Sequence, residues 1–417
     1  MKKFVVRRIR FENGERMSLV VGEDGLPVHE IVLWLGRFRT RGLASNTMHG
    51  ACKALVVLYR DLAAKEIDLL GRLGQGRFLT LPEVDGIVAA AQYRLDDLSD
   101  DEDDGPASDQ VVNIATVRMR RQAVAPEVKG VARGTMANRL RYIGAFLSFL
   151  VEYAKADLPR ALQQQVTEEA DAALKSLQGQ IPRVSKRSSL EAREGLSKED
   201  VDRVIAVIQP DSPHNPWKRG FVRRRNWIIV VVLLATGMRR GELAGMKVAD
   251  ILPSKSMLKI VRRADDPDDR RRVEENAKTQ AREVQLHPKI MQQLDAYLQD
   301  RRKIPQARKI PHLIVSDEGT ALTGDAIGKI LAQVRAACPG LPVRLTSHVL
   351  RHTWNERFSE EAEKMGLSDH DEQAARNTQQ GWKDDSKTGL DYTRRHNRLK
   401  GHQISLKLQE DLDATAG

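Results

Sequence analysis

The chain has 417 residues, which is too long for one ordinary core and predicts two or three domains. It carries 68 Lys and Arg against 57 Asp and Glu, and the net charge of +11 predicts a polyanionic partner, either nucleic acid or an acidic membrane surface. No apolar run is long enough to span a membrane, and we expect no signal peptide, because charges interrupt the N-terminal sequence at once. The two cysteines, Cys52 and Cys338, exclude a disulfide framework and a cysteine metal cluster, so a reducing cytoplasm is the expected compartment. An aromatic content of 5% argues against a protein that stacks single-stranded bases.

The first 26 residues predict a β-hairpin. Residues 4–21 alternate in polarity around Asn13-Gly14, which is the strongest short hairpin signal. One face of this hairpin is basic, with Lys3, Arg7, Arg8 and Arg10. Such a face could contact a nucleic-acid backbone, or it could simply be solvated.

Residues 27–177 predict a helical domain. We expect helices from Val28 to about Leu70, with Ser45 or Asn46 as the N-cap of the second, and further helices at 80–95, 111–125 and 135–154. The acidic run at 96–106 is too polar to bury a core and predicts a loop. Three basic residues beside the apolar stripe of the last helix are candidates for nucleic-acid contact: Arg133, Arg139 and Arg141.

A polar, basic and non-periodic stretch at 178–195 predicts a linker, and the capping box that starts at Ser197 opens a second domain over 196–417. In this domain we expect strands at 256–263 and 282–287 joined by a long connection. Helices are expected at 288–301, 323–337 and 347–363, and again from about 379 onward. The fold class is therefore mainly α with a small β-sheet in the C-terminal domain, an α+β arrangement.

The stretch Trp227–Asp250 predicts a buried helix, a turn at Gly237 and a second helix. A guanidinium at Arg239 is costly to desolvate at such a place unless an anion meets it. Glu242, three residues later, could orient Arg239 and leave the remaining donors for a phosphate, for which Arg is well suited. An ordinary surface ion pair between these two residues is the alternative.

Further polar residues follow in a fixed order. Lys278 lies in the strand connection, His348 and Arg351 form a His-x-x-Arg pair, and Trp382 precedes Tyr392 near the C-terminal end. With Arg239, this set resembles the active site of the tyrosine recombinase (phage integrase) family, over about 196–399. The phrases TGMRRGEL, LTSHVLRHT and GLDYTRR are similar to the local sequences of that family. The resemblance implies a core-binding domain at 27–177 and a catalytic domain at 196–417.

The resemblance implies that Tyr392 attacks a DNA phosphodiester and forms a 3′-phosphotyrosine. Arg239 and Arg351 would bind the non-bridging oxygens as charge develops. Lys278 would protonate the departing 5′ oxygen, and His348 would handle the tyrosine proton or contact the phosphate.

In the same site, Trp382 has only an indole N–H to donate, so its role would be hydrogen bonding and packing, and Glu242 would support Arg239 or His348. No Asp/Glu cluster with metal-ligand spacing lies near these residues, and we expect no metal and no cofactor.

The implied partners are double-stranded DNA and three further copies of the chain, because the family acts as a tetramer on two paired sites through a Holliday junction. An accessory DNA-bending or directionality factor is a further possible partner. The expected setting is a mobile genetic element in the cytoplasm of a prokaryote, at the nucleoid. Two alternatives stay open: relaxation of DNA by chemistry of the type IB topoisomerases, and a DNA-binding protein of this fold that no longer cuts.

Two details depart from the family pattern. Trp382 and Tyr392 are 392 − 382 = 10 positions apart, one more than expected. Arg240 adjoins Arg239 and could exchange roles with it, although the TGMR phrase favours Arg239. Three further histidines are read as structural or DNA-contacting: His352, His370 and His396.

Overall fold

The computed structural model describes residues 4–94, 130–183, 194–275, 279–341, 344–386, 388–391 and 394–413. Contacts within the chain divide it into two units, residues 1–188 and 189–417. The acidic run at 96–106 and the helix expected at 111–125 lie outside the described residues. In the part of the chain that is described, no helix combines the length and apolarity that crossing a membrane requires.

The N-terminal unit begins with the predicted hairpin, which is confirmed. Strand β1 (Val5–Arg10) pairs antiparallel with strand β2 (Arg16–Val21). Gly14 in the turn has φ +91°, a conformation that glycine adopts without strain. Val6 and Val20 on its inner face are fully buried in the core formed with the helices, so the hairpin belongs to this unit's interior.

Six described helices complete the N-terminal unit: α1 (His29–Thr40), α2 (Ser45–Ala64), α3 (Leu69–Gly74), α4 (Leu81–Ala91), α5 (Arg133–Lys155) and α6 (Arg160–Gly179). The predicted N-cap of α2 is wrong, because Ala44 occupies that position without a side-chain hydrogen bond and Ser45 is the first helical residue. Thr80, by contrast, forms a capping box with Glu83 at the start of α4. The core between these helices is apolar and rich in aromatic rings.

The C-terminal unit contains eight described helices and a small sheet. The helices are α7 (Lys198–Ile208), α8 (Gly220–Thr236), α9 (Arg240–Ala244), α10 (Pro288–Arg302), α11 (Gly324–Ala337), α12 (Ser347–Lys364), α13 (Asp369–Gln380) and α14 (Arg394–Asp413). The antiparallel sheet has the order β3 (Ile251–Leu252), β4 (Met257–Ile260) and β5 (Arg282–Gln285). The chain is therefore mainly helical with small antiparallel sheets, which confirms the predicted fold class.

Helix α8 is the centre of the C-terminal unit. Its residues from Arg225 to Leu233 are buried on every side, and it packs against α7, α10, α11 and α12. Thr236 and Gly237 at its C-terminal end are buried as well, so carbonyl groups there need hydrogen-bond donors other than water. These donors come from residues far away in sequence, and they define the site.

Candidate active site

The last two carbonyl groups of α8 and that of its capping residue, Gly237, each accept a hydrogen bond from a side chain of α12 or α13. Such donors satisfy groups that a buried helix end would otherwise leave unpaired. The pairs are Trp354 Nε1 to the Ala235 oxygen (3.1 Å), Gln380 Nε2 to the Thr236 oxygen (3.2 Å) and Arg351 Nη1 to the Gly237 oxygen (2.6 Å). Side chains from α12 and α13 thus meet at the end of α8.

Gly237 makes this convergence possible. It ends α8 in the left-handed conformation, at φ +60°. A Cβ at this position would lie 2.8 Å from Trp354 Cδ2 and 2.9 Å from Gln380 Nε2, closer than packed atoms allow. Glycine is therefore required here both by its backbone angle and by the close approach of the two side chains.

Arg239 follows two residues after this turn, at the N-cap of α9. Its backbone N–H donates to Glu242 Oε2 at 3.0 Å, and its Nη1 lies 3.4 Å from Glu242 Oε1. The Arg239 side chain is 27% exposed, whereas the Glu242 side chain is fully buried. The buried carboxylate of Glu242 therefore orients the Arg239 guanidinium, as the sequence predicts. Because Arg239 is partly exposed, some of its N–H donors are accessible to a ligand.

Each oxygen of Glu242 accepts two hydrogen bonds. Besides those from Arg239, Oε1 accepts from Thr279 Oγ1 at 2.8 Å and Oε2 accepts from Arg282 Nη2 at 2.9 Å. Burial alone would raise the pKa of Glu242, but the charge of Arg282 and these hydrogen bonds together hold the pKa below its ordinary value. Glu242 is therefore a carboxylate, and it can stabilise two positive charges.

Arg282, at the start of β5, was not identified from the sequence. Its side chain is 5% exposed and uses three nitrogens on three partners: Glu242, Thr279 Oγ1 at 2.8 Å, and the Gln379 oxygen at 2.8 Å. It therefore links the strand connection and helix α9 to the end of α13. An arginine that begins a strand gives no signal of this role in the sequence, because its partners come from distant segments.

Trp382 follows the end of α13, where Gly381 adopts φ +62°. The indole ring is nearly buried, and the guanidinium carbon of Arg351 lies 5.0 Å from the ring centroid. This distance is within the range of a cation–π interaction. Trp382 thus packs against the second predicted arginine, in agreement with the packing role expected for it.

His348 and Arg351 lie in the first turn of α12, whose N-cap Thr346 accepts a hydrogen bond from the Val349 N–H. His348 is exposed, and Arg351 is only 1% exposed. Because Arg351 donates to the residue two before Arg239, the structure brings the segments of Arg239, Arg351 and Trp382 together. His348 lies on the same helical turn as Arg351.

Lys278 and Tyr392 lie outside the described residues, so their roles stay predictions. Their described neighbours in sequence adjoin the site. Thr279 binds Glu242, and a Cβ at Gly389 would lie 3.6 Å from Trp382 Cζ3, which places the turn before Tyr392 against the indole.

Arg240 does not share the environment of Arg239. Its side chain is exposed, its Nη1 donates to the Gly324 oxygen at 3.2 Å, and its Nη2 lies 3.4 Å from Asp325 Oδ1. It faces helix α11, so the structure favours Arg239 for the site. His370 is likewise exposed and lies beside Asp371 at 3.6 Å.

In the N-terminal unit, the three candidate arginines differ. Arg139 is 8% exposed, and its Nη1 donates to the Ala91 oxygen at 3.1 Å and the Tyr93 oxygen at 2.7 Å. Burial lowers its pKa. Its guanidinium satisfies the end of α4, which makes it a packing residue, whereas Arg133 and Arg141 are exposed and remain candidates for DNA contact.

The described geometry can bind and polarise a phosphate-like anion. A partly exposed, carboxylate-oriented guanidinium and a second, buried guanidinium converge at the end of α8, and the exposed His348 lies three residues before the buried one. No described element supplies a glycine-rich phosphate loop or a Ser/His/Asp arrangement to this place. Electrophilic assistance by fixed cations is therefore the chemistry that the geometry favours.

Residues 194–397 match the phage integrase family. No curated protein matches the chain.

Among solved structures, the chain is similar to the XerA recombinase, at 19% identity with a TM-score of 0.38, over 70% of this chain and 95% of that one. It is similar to the XerH site-specific recombinase bound to its difH substrate, at 18% identity with a TM-score of 0.38, over 62% and 68%. It is also similar to the Tn1549 transposon integrase in complex with transposon right end DNA, at 16% identity with a TM-score of 0.39, over 70% and 98%.

Proposed function

We propose that the chain, whose residues 194–397 match the phage integrase family, is a tyrosine site-specific recombinase that cuts and rejoins duplex DNA through a 3′-phosphotyrosyl intermediate. The observation that carries the proposal is the convergence of Arg239, Arg351 and Trp382 at the buried end of α8. The matched residues also include Lys278, His348 and Tyr392 in the order that the family chemistry needs.

The first step is attack of the Tyr392 hydroxyl oxygen on a phosphodiester. The new bond joins this oxygen to phosphorus, the bond from phosphorus to the 5′ oxygen breaks, and the phenolic proton leaves. Arg239 and Arg351 bind the two non-bridging oxygens, whose charge grows in the transition state. Because Glu242 holds Arg239 and the Gly237 oxygen holds Arg351, little reorganisation is needed when that charge appears.

Two proton transfers complete the step. Lys278 protonates the departing 5′ oxygen, and His348, which is exposed on the turn of Arg351, accepts the phenolic proton or binds the phosphate. Trp382 supports Arg351 and contributes no proton. Attack of a 5′ hydroxyl from the partner strand on the phosphotyrosine reverses the reaction and restores a phosphodiester.

Two such exchanges, through a Holliday junction, recombine two duplexes held by a homotetramer. Helix α14 leaves Ile404 (55% exposed) and Leu406 (58% exposed) on its surface, which supports the docking of this tail into a neighbouring subunit. The setting we propose is a prokaryotic mobile genetic element, acting on the chromosome with an accessory DNA-bending or directionality factor.

The test is covalent trapping. Purified protein is mixed with nicked duplexes that tile the DNA flanking its gene, without added metal or nucleotide, and resolved on a denaturing gel. We expect a DNA-linked band that is lost in Tyr392→Phe and kept in Tyr153→Phe, a matched change at a half-exposed tyrosine of the N-terminal unit. A band that survives Tyr392→Phe contradicts the assignment of the nucleophile.

The trapping assay and a plasmid relaxation assay together separate the two alternatives. Tight duplex binding without any covalent band would indicate a DNA-binding protein that does not cut. Relaxation of a supercoiled plasmid that carries none of the flanking sequence would indicate a topoisomerase, because a site-specific recombinase requires its own site.

A further inference from the structure

Arg282 has no role in the reaction described above. It lies on β5, touches no reacting atom in that scheme, and is the described residue that bonds to Glu242, to Thr279 and to the end of α13 at once. A buried guanidinium is costly unless its donors are satisfied, and here all three nitrogen atoms donate within 2.9 Å. Such an arrangement fixes the relative positions of the segments it joins.

The segments joined by Arg282 carry the proposed phosphate-binding groups. Through Glu242 it reaches Arg239, and through the Gln379 oxygen it reaches the turn that carries Trp382, the ring that packs on Arg351. A second link runs beside it, because the Gln280 N–H donates to the Gly381 oxygen at 3.0 Å. One side of the site therefore depends on the fork of Arg282.

We propose that Arg282 is a positioning residue that sets the charge and orientation of Glu242, and through it the alignment of Arg239 with the Arg351–Trp382 pair during cleavage. This inference rests on the proposed recombinase function. Arg282 acts through other residues and contacts no substrate. Its planar fork matters because a lysine can supply the charge but not three separate, fixed hydrogen bonds.

The charge of Arg282 gives this role a signature in the pH profile. The charged groups bonded to Glu242 in the described part of the chain are Arg239, from its own turn, and Arg282, from β5. Burial raises the pKa of Glu242 and Arg282 is the strongest influence lowering it, so removing Arg282 lets the pKa rise. The carboxylate is then protonated at a higher pH, and cleavage is lost at a higher pH as the solution is acidified.

The experiment measures covalent-complex formation against pH, with duplex affinity measured separately. For Arg282→Met we expect about a 10²-fold slower cleavage of bound DNA, the loss that misplacement of about 1 Å can cause, at unchanged affinity. The acid limb of its pH–rate profile, where cleavage falls as the pH is lowered, should move to higher pH. Arg282→Lys should keep the acid limb of the wild-type protein, because the charge remains, and still cleave more slowly, because the fork is lost. Glu242→Gln should cost less in the Arg282→Met background than in the wild-type protein, since the two changes share the Arg282–Glu242 interaction.

Arg301→Lys is the matched control. Arg301 is also largely buried and also binds backbone oxygens, those of Ile310 and His312, but none of its partners belongs to the site. It should lower thermal stability without moving the acid limb. The inference is wrong if Arg282→Met slows cleavage no more than Arg301→Lys does at the same loss of thermal stability. It is also wrong if Arg282→Lys moves the acid limb as far as Arg282→Met does.

Should Arg282→Met fail to fold, Arg282→Lys decides the question through its rate at unchanged affinity: a wild-type rate would overturn the inference. Absence of a covalent complex with the wild-type protein would instead refute the proposed function, and the inference with it. The two failures are therefore distinguishable.

Discussion

The interiors of the two units are built differently. The N-terminal unit packs aromatic rings against each other, as with Trp34 and Phe146, whose centroids lie 5.4 Å apart. Among its described residues, few buried side chains are polar, and Arg139 serves only to satisfy the end of a helix. The C-terminal unit buries several times as many polar and charged groups, and many of them lie on α12 and α13 or at the C-terminal end of α8.

This difference shows where the chain accepts a cost in stability. Burying a charge destabilises a fold unless the charge is fully paired, and an apolar group of similar volume often packs as well or better. Arg376 illustrates the cost, since burial lowers its pKa while Glu372 on the same helix opposes the effect. Buried polar networks are therefore concentrated in the unit that must hold a precise arrangement of charges.

The largest expected effect comes from comparing one buried arginine of each unit, Arg351 and Arg139. Arg351→Lys should slow cleavage by about 10²- to 10³-fold, the loss typical of removing one fixed donor to a developing oxyanion. Arg139→Lys should cost only about 1 kcal/mol of stability, the value of an ordinary hydrogen bond, and leave cleavage of bound DNA unchanged. Single-turnover cleavage and urea unfolding of both variants are the measurements. Equal losses of cleavage would remove the distinction between the units.

A smaller effect is expected from two left-handed glycines. Gly42 ends α1 at φ +66° with open space around its Cβ position, whereas Gly237 at φ +60° faces Trp354 and Gln380. Gly42→Ala should therefore cost only the backbone strain, about 1–2 kcal/mol. Gly237→Ala should cost more and also lower cleavage, because the new methyl group displaces side chains that bind the end of α8. Urea unfolding of both variants decides this, and similar free energies of unfolding would contradict the crowding at Gly237.

Much of this arrangement was accessible from the sequence. The end of α8 at Gly237 and the start of α7 at Ser197 follow from local rules, since a glycine tolerates the left-handed conformation and a serine caps a helix. Arg239 and Glu242 are close in sequence, so their pairing follows from helical spacing. Such local features depend on a few neighbouring residues, which is why the sequence reveals them.

Features that depend on distant partners were missed. Helix α13 has the sequence DHDEQAARNTQQ, which lacks an apolar stripe because its buried positions are Arg376, Asn377 and Gln380. Periodicity of apolar residues cannot detect a helix that is held by polar contacts. Arg282 and Gln380 were missed for the same reason: Glu242 and the Gln379 oxygen, which Arg282 binds, and the Thr236 oxygen, which Gln380 binds, lie 40 or more residues away.

The smallest expected effect concerns the exposed arginines of the N-terminal unit. Arg133→Ala and Arg141→Ala should change stability by no more than about 0.5 kcal/mol, because both side chains are exposed. If they contact DNA phosphates, each should weaken duplex binding at all sequences and reduce the salt slope by about 1. Binding titrations at several salt concentrations, with Arg139→Lys as the buried counterpart, are the measurement. An unchanged salt slope would leave this surface without a DNA contact.

The hydrogen bonds at the end of α8 also bear on biosynthesis. Gly237 and Arg351 are 114 positions apart, and Thr236 and Gln380 are 144 apart. Contacts this distant form only after long loops have closed, so they are gained late in folding. A nascent chain on the ribosome that has not yet produced α13 lacks the side chains that complete the site. Incomplete chains therefore lack the assembled site and, under the proposed function, cannot cut DNA.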